Sequence, residues 1–447
     1  MQPTTFSISR ILILCLLVSI YLNPKQSISQ TTAIADSNFE QVLVDLNIDT
    51  NGVNGNILDS DASAVYYLNL SENYIQDLTG IEAFVDLKTL DCSANNLTEL
   101  DLSQNKKLLE LNANDNQISN IDLSLNGKLK VALINSNYLN EIDVSNNFDL
   151  EELGVSLNSL TELVVTNNLS LKHLSCYSNN LNNLDLSNNS QLISLHVGDN
   201  NFSALDVSQN EMLHTFTCNE NSLSELSIEN NVQLSYLDCR NNNISNIDIN
   251  DNTGLQRLFV SNNNLNEVDL SNAPNLKMFY AINNNLTTLD ISSNSILRWV
   301  KCDQNNLSSV DFRNGNNINI SEFRMTQNSG LSCIFVDDAD ASFLASWIVD
   351  DTSAFVEYEY ECEALSIKDN SLTDINMYPN PALGSVNFEV NTESAKLELY
   401  AISGQLVHAQ TLNYGVNKIA LTNFSSGLYM AKISSNQTLE TKKLLIK

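Results

Sequence analysis

The sequence predicts a mainly β chain: a solenoid of short parallel strands, closed at its start by a short helical cap and followed by a small antiparallel β-sandwich. Three observations lead there. Asparagine recurs at 95, 116, 137, 158, 179, 200, 221, 242, 263, 284 and 305, with no break in the 21-residue step. Apolar residues follow each asparagine at offsets of two, five, seven and thirteen, from Leu97 to Ile318. Beyond about residue 375 the repeat stops, and alternating runs such as "KLELYA" and "LYMAKI" take over.

In chain order, residues 1–29 read as a secretory signal peptide. Arg10 precedes an apolar run from Ile11 to Leu22, and small residues follow at Ser27 and Ser29. A run of about 12 apolar residues is too short to span a bilayer and fits a cleaved signal. Residues 30–64 form an N-terminal cap. In "DSNFEQVLVDLN", Phe39, Val42, Leu43 and Leu46 share one face of a short helix, with Asp36 or Ser37 as its N-cap.

Residues 65–331 hold the repeat. The unit reads LxxLxCxxNxLxxLDLSxNxx, and irregular copies around Asn73 and Asn328 bring the count to about thirteen. Apolar and polar residues alternate just before each asparagine, as in Leu174, Ser175, Cys176, Tyr177, which fits a short strand. One such coil cannot bury its leucines alone, so coils must stack around a continuous core. These residues resemble leucine-rich repeats of the nested 21-residue bacterial class found in internalin-like surface proteins. The resemblance covers about residues 65–331 and implies a parallel sheet along one side of the solenoid.

Five cysteines obey the same arithmetic. Cys92, Cys176, Cys218, Cys239 and Cys302 all stand three residues before a ladder asparagine, where other coils carry Ala, Ile or Val. That is a small apolar core slot. The asparagines themselves are expected to bond turn backbone in their own coil and the next. Residues 332–363 depart from the repeat and read as a C-terminal cap. Cys333 and Cys362 lie there, off the register, and form the expected disulfide of a secreted chain.

Residues 364–375 read as a linker, and 376–447 as a separate domain. "YPNP", "LELYAISGQLV", "LTNFSSGLYMAKI" and the basic tail "TKKLLIK" resemble the C-terminal sorting domain of the type IX secretion system of Bacteroidota. Gly404 falls in a strand-connecting turn, and Gly427, Leu428 and Tyr429 match a second element. The resemblance implies recognition by the secretion machinery through residues 376–447, then release or attachment at the outer-membrane surface.

Charge narrows the partners. The chain carries 22 basic and 53 acidic residues, for a net −31. Residues 30–371 alone hold 14 basic and 48 acidic. Such a field repels nucleic acid and anionic membranes. No later stretch reaches the length of a transmembrane helix. Catalysis finds no footing either: four histidines, no nucleophile elbow, no HExxH and no phosphate loop predict a protein that is not an enzyme. His173 and His196 occupy outward slots in adjacent coils without carboxylates placed beside them.

Binding candidates sit six, four and two residues before each ladder asparagine, positions that face outward on the normally concave side of such a solenoid. In early coils they are mostly small or polar, as with Thr89, Asp91, Ser93, Glu110, Asn112 and Asn114. Later, Tyr236, Arg240, Arg257, Phe259, Met278, Tyr280, Ile282, Trp299 and Lys301 fill these slots in four consecutive coils. Aromatic and arginine groups on a rigid surface are the stuff of interface hot spots, for a protein or a glycan ligand. The alternative is that they only pack against one another.

Calcium is a weaker expectation, and no other cofactor is implied. Asp45, Asn47, Asp49 and Asn51 alternate oxygen ligands in "DLNIDTNGVNG", and Gly52 fits a calcium loop begun at Asn47. Leu58, however, replaces its closing glutamate. A column of aspartates from Asp101 to Asp311 either caps turns or is neutralised by calcium. The sequence therefore reads as a secreted or surface binding protein. The alternative is a structural surface-layer or matrix protein with a calcium-linked acidic face.

Overall fold

A computed structural model describes residues 30–366, 375–435 and 438–447. The signal peptide and most of the linker lie outside the described residues. The chain forms two compact units, divided between Glu357 and Tyr358.

The first unit is built on a 14-stranded parallel sheet running from Tyr67–Asn69 to Ile348–Val349. Strands are mostly three residues long. They pair in strict register, so Thr215, Tyr236, Arg257, Met278 and Trp299 line up across five coils. The middle residue of each strand points into the core and is a leucine or another apolar residue, as with Leu174, Leu237 and Phe279. The five repeat cysteines are fully buried, free thiols. Burial pushes the Cys176 thiol up to about 12, so it is neutral, inert packing.

Asparagine holds the coils together. Asn242 Nδ2 donates to the carbonyls of Cys239 in its own coil (3.2 Å) and Cys218 in the coil before (3.0 Å). Its Oδ1 accepts from the Leu223 N–H at 2.9 Å, also in the preceding coil. The same three contacts recur from Asn95 onward, so each amide reaches back to the coil before it and not forward to the next. The residue before it takes a left-handed conformation, as at Leu157 (φ 56°) and Asn241 (φ 56°).

A second ladder runs through the "LSxN" turns. Asn231, for example, donates to the carbonyls of Val207 and Asn210 at 3.0 and 2.9 Å. Ala273 interrupts this ladder, and Asn294 resumes it by donating to Leu270 and Ala273. Where an aspartate precedes the turn, in all regular coils but those with Val164 and Ser227, it accepts the N–H two residues on, as Asp185 does from Ser187 at 3.0 Å. Hydrogen bonds from that serine hold the carboxyls of Asp122, Asp143, Asp185 and Asp269 below their ordinary range. The aspartate column thus has a turn-capping job in the backbone.

Both ends of the core are covered. Helix α1 (Ser37–Asp45) is N-capped by Asp36, whose Oδ1 accepts from Asn38 and Phe39. The other oxygen of Asp36 accepts from Gln76 and Asp77, tying the helix to the first coil. Phe39 and Leu43 are buried, but Leu46 is exposed, because the helix ends at Asp45 and Leu46 turns away. At the other end the repeat fades but both strand columns continue. Ile348–Val349 joins the long sheet, and Ala354–Val356 extends a four-stranded second sheet with Thr288–Asp290, Ser309–Asp311 and Cys333–Phe335. Trp347 stacks on Phe323 at 4.1 Å and meets Phe312 and Phe355, an aromatic plug over the last leucines. Cys333 and Cys362 are both disulfide-bonded.

The second unit opens with a helix, α2 (Glu359–Ser366), which takes up the first residues expected of the linker. Its five strands form one sheet that curls over itself. Ile375–Leu383 pairs with Ser385–Ala401 on one side and with Thr438–Ile446 on the other. Alternation decides the faces: Leu397 and Leu399 are buried, while Lys396 and Glu398 pair on the outer side. Gly404 takes φ 79° in the turn before Leu406–Ala420, a conformation that suits glycine.

Candidate binding surface

The outward side chains of the long sheet fall into columns, because each strand sits directly beside the next. Through the first eight coils these positions hold no lysine or arginine. Tyr236 begins a different surface. Phe259 lies beside both tyrosines, with ring centroids 5.6 Å from Tyr236 and 4.9 Å from Tyr280. It is only 8% exposed, although it points away from the core. Cations sit close to all three rings. Arg257 is 5.9 Å from the Tyr236 centroid, Arg240 is 5.5 Å from Phe259, and Lys301 is 4.8 Å from Tyr280.

Acidic neighbours pair with two of these cations, Arg240 and Lys301, and with a further one, Arg324. Asp238, 3% exposed, takes Arg240 in a two-point grip, Nε to Oδ1 at 2.8 Å and Nη2 to Oδ2 at 2.6 Å. That grip raises the Arg240 pKa further. Lys301 pairs with Glu322 at 3.0 Å, and Arg324 approaches buried Asp303 at 3.6 Å. Arg257 is exposed and has no ion pair among the described residues. Met278 and Trp299 continue its column, both half-buried.

The structure brings together Tyr236, Arg240, Arg257, Phe259, Tyr280 and Lys301 in direct contact, and lines up Met278 and Trp299 beside them. Asp238, Asp303, Glu322 and Arg324 complete the surface and were not singled out from the sequence. Asp238 occupies an outward slot that the pattern already marked. Glu322 and Arg324 were hidden because the step from Asn305 to Asn328 is 23 residues, out of register with the repeat.

The remaining expected sites look different. In the N-terminal loop Asp45 accepts from Gln41, Asp49 from the Asn51 N–H, and the Asn51 side chain bonds Asn56. Asn47 takes a left-handed φ of 56°. Burial raises the Asp49 pKa, and its second oxygen has no hydrogen-bond partner. Among the described residues, no group of three or more His, Cys, Asp or Glu could hold a metal ion. His196 bonds Ser194 and Thr217, and burial, then His173, keep its pKa low. Shallow cavities do exist, one of about 820 Å³ beside the aspartate turns at Asp101 and Asp122 and others beside Asp206, Asp248 and Asp269, all on the other strand column.

Stacked parallel coils with a backbone-bridging asparagine ladder define a leucine-rich-repeat solenoid. Its solved relatives include the functional domain of InlJ from Listeria monocytogenes, which includes a cysteine ladder. The two are 23% identical with a TM-score of 0.62, over 94% of this chain and 99% of that one. The internalin InlF of the same bacterium matches at 19% identity and TM-score 0.58, over 72% and 92%. The Arabidopsis receptor kinase HAESA, in complex with the peptide hormone IDA and the co-receptor SERK1, matches at 20% and 0.53, over 66% and 55%. These likenesses establish the fold. Residues 376–447 match the secretion system C-terminal sorting domain, which directs the chain to secretion or to attachment at the outer surface. Comparison with curated protein sequences gave no match. No helix among the described residues is long and apolar enough to cross a membrane.

Proposed function

We propose that this chain is a secreted or surface-attached binding protein whose ligand, a protein or a glycan, docks on the late half of the long sheet. One observation carries the reading. Large aromatic and cationic side chains gather on that stretch of the outward face, where the core gains nothing from them. Residues 65–331 would supply the binding scaffold, 30–64 and 332–363 its caps, and 376–447 the address. A Cys333–Cys362 bridge would staple the C-terminal end. HAESA, held with a peptide hormone, is a precedent for this fold carrying a polypeptide ligand.

Self-packing explains part of the arrangement, since Phe259 is buried by its neighbours. It does not explain the exposed Arg257 or the half-buried Trp299. The test is an array of glycans and of host and matrix proteins, probed with the purified chain. A variant with Tyr236, Phe259, Tyr280 and Trp299 changed to alanine runs beside it. Saturable binding by the parent, lost in the folded variant, is the expected result. Equal binding by both would remove the late sheet as the site.

A further inference from the structure

The outward face narrows the ligand further, on the reading that this face is the binding surface. Recognition of a sugar ring calls for an open aromatic face. Phe259 offers none, being packed by Tyr236, Tyr280 and Arg240. Tyr236 and Tyr280 each carry a cation near the ring as well as the neighbouring phenylalanine. Of the four large rings, Trp299 alone has no ring or cation against it among the described residues.

Charge points the same way. Asp238, Glu322 and Asp303 neutralise Arg240, Lys301 and Arg324. Arg257 keeps an uncompensated guanidinium, exposed beside Tyr236, within a body of strongly negative charge. A planar guanidinium held against an aromatic ring presents a two-point fork that fits a carboxylate. The apolar side chains of Met278 and Trp299 follow in the same column. Strands lie about 4.8 Å apart, so Trp299 stands roughly 10 Å from Arg257, about three residues of extended chain.

We propose that Arg257 receives an aspartate or glutamate carboxylate of an extended polypeptide partner, whose large apolar residue two or three positions away lands on Met278 and Trp299. The site reads an acidic–apolar pair in a peptide and not a sugar.

The experiment selects a phage-displayed library of random dodecamers on the full secreted chain, then measures the affinity of recovered peptides by titration. Recovered sequences should share an acidic residue with a large apolar residue two or three positions off. Arg257→Gln should weaken binding roughly tenfold, the loss of one charge-assisted contact. Replacing the peptide's acidic residue by its amide should do the same, and the two changes together should cost little more than either. An unchanged thermal melt of Arg257→Gln shows that the fold is intact.

Peptides without acidic residues, or affinities indifferent to Arg257→Gln yet abolished by the four-alanine variant, would overturn the carboxylate proposal and leave the binding surface standing. Retention of uronic-acid or sulfated oligosaccharides in place of peptides, lost in the four-alanine variant, would do likewise. Binding that survives the four-alanine variant, or no retention of peptide or sugar, would overturn both.

Discussion

The two halves of the long sheet share one scaffold and differ on one face. In both, an asparagine bridges each coil to the one before, with distances that hardly change. Asn137 donates to Ala113 and Ile134 at 3.0 and 3.3 Å; Asn242 donates to Cys218 and Cys239 at 3.0 and 3.2 Å. Outward, the early half mixes polar and acidic residues such as Thr89, Asp91, Glu110, Asn112 and Glu152 with scattered single groups such as Tyr67, Val131, Leu133, His173, Tyr177 and His196, and it holds no lysine or arginine. The late half shows interlocked rings and cations. Backbone bridging and core packing use the inward positions, so a repeat leaves its outward columns free to vary. What varies there reports on something other than the fold.

The comparison can be broken at several points, the largest effect first. Asn242→Ala should cost about 3 kcal/mol, because buried backbone groups of two coils lose their partner. Asn137→Ala should cost the same within about 0.5 kcal/mol if the halves share one scaffold. Urea unfolding of both variants checks this, and a large inequality would separate the scaffolds.

Phe259→Ala should cost about 2–3 kcal/mol, since its ring is buried between two tyrosines. Thr215→Ala, on an outward slot of the early half, should stay within about 0.5 kcal/mol. The same unfolding assay reads both. Equal costs would show that the late face is no more tightly packed than the early one.

Smaller still is the left-handed residue before each ladder asparagine. Late coils place Asn241, Asn262 and Asn283 there, while the early half has Leu157, a side chain that pays a steric cost in this conformation. Leu157→Asn should therefore raise stability by about 0.5–1 kcal/mol, measured as a shift in urea midpoint. No gain would mean that the exposed leucine makes compensating contacts.

The turn aspartates offer the weakest handle, because they are exposed. Asp122 and Asp143 in the early half and Asp269 in the late half have depressed pKa values, owing to bonds from the serines that follow them. A depressed carboxyl contributes stability above its unfolded value, near 3.9, and loses it as pH falls through the folded value. Melting temperature should accordingly drop below about pH 4. Asp185→Asn, which keeps an acceptor without the charge, should flatten that drop slightly.

Much of this was legible in the residues. The 21-residue step announces stacked coils, and the Cys, Val, Ile and Ala sharing one slot announce a buried column. The outward slots were equally readable, since they alternate with the core. What escaped needed neighbours across strands. That Arg240 covers Phe259 while bonding Asp238 depends on register between coils, not on any local pattern. Glu322 and Arg324 escaped because two extra residues shift the last copy. The second asparagine of the repeat unit is visible in nearly every coil, yet nothing within a single coil shows that its amide joins successive coils. The fourteenth strand escaped because the aromatic plug around Trp347 replaces the leucines that carry the pattern elsewhere.

Hydroxyl-radical footprinting of the full chain, with and without the partner identified on the array, tests the central claim most directly. Tyr236, Met278, Tyr280 and Trp299 are reactive side chains on the late face, and Tyr67, Tyr177 and His196 serve as their counterparts on the early one. The account predicts protection of the late group alone. Protection of the early group, or of neither while the partner is bound, would contradict it.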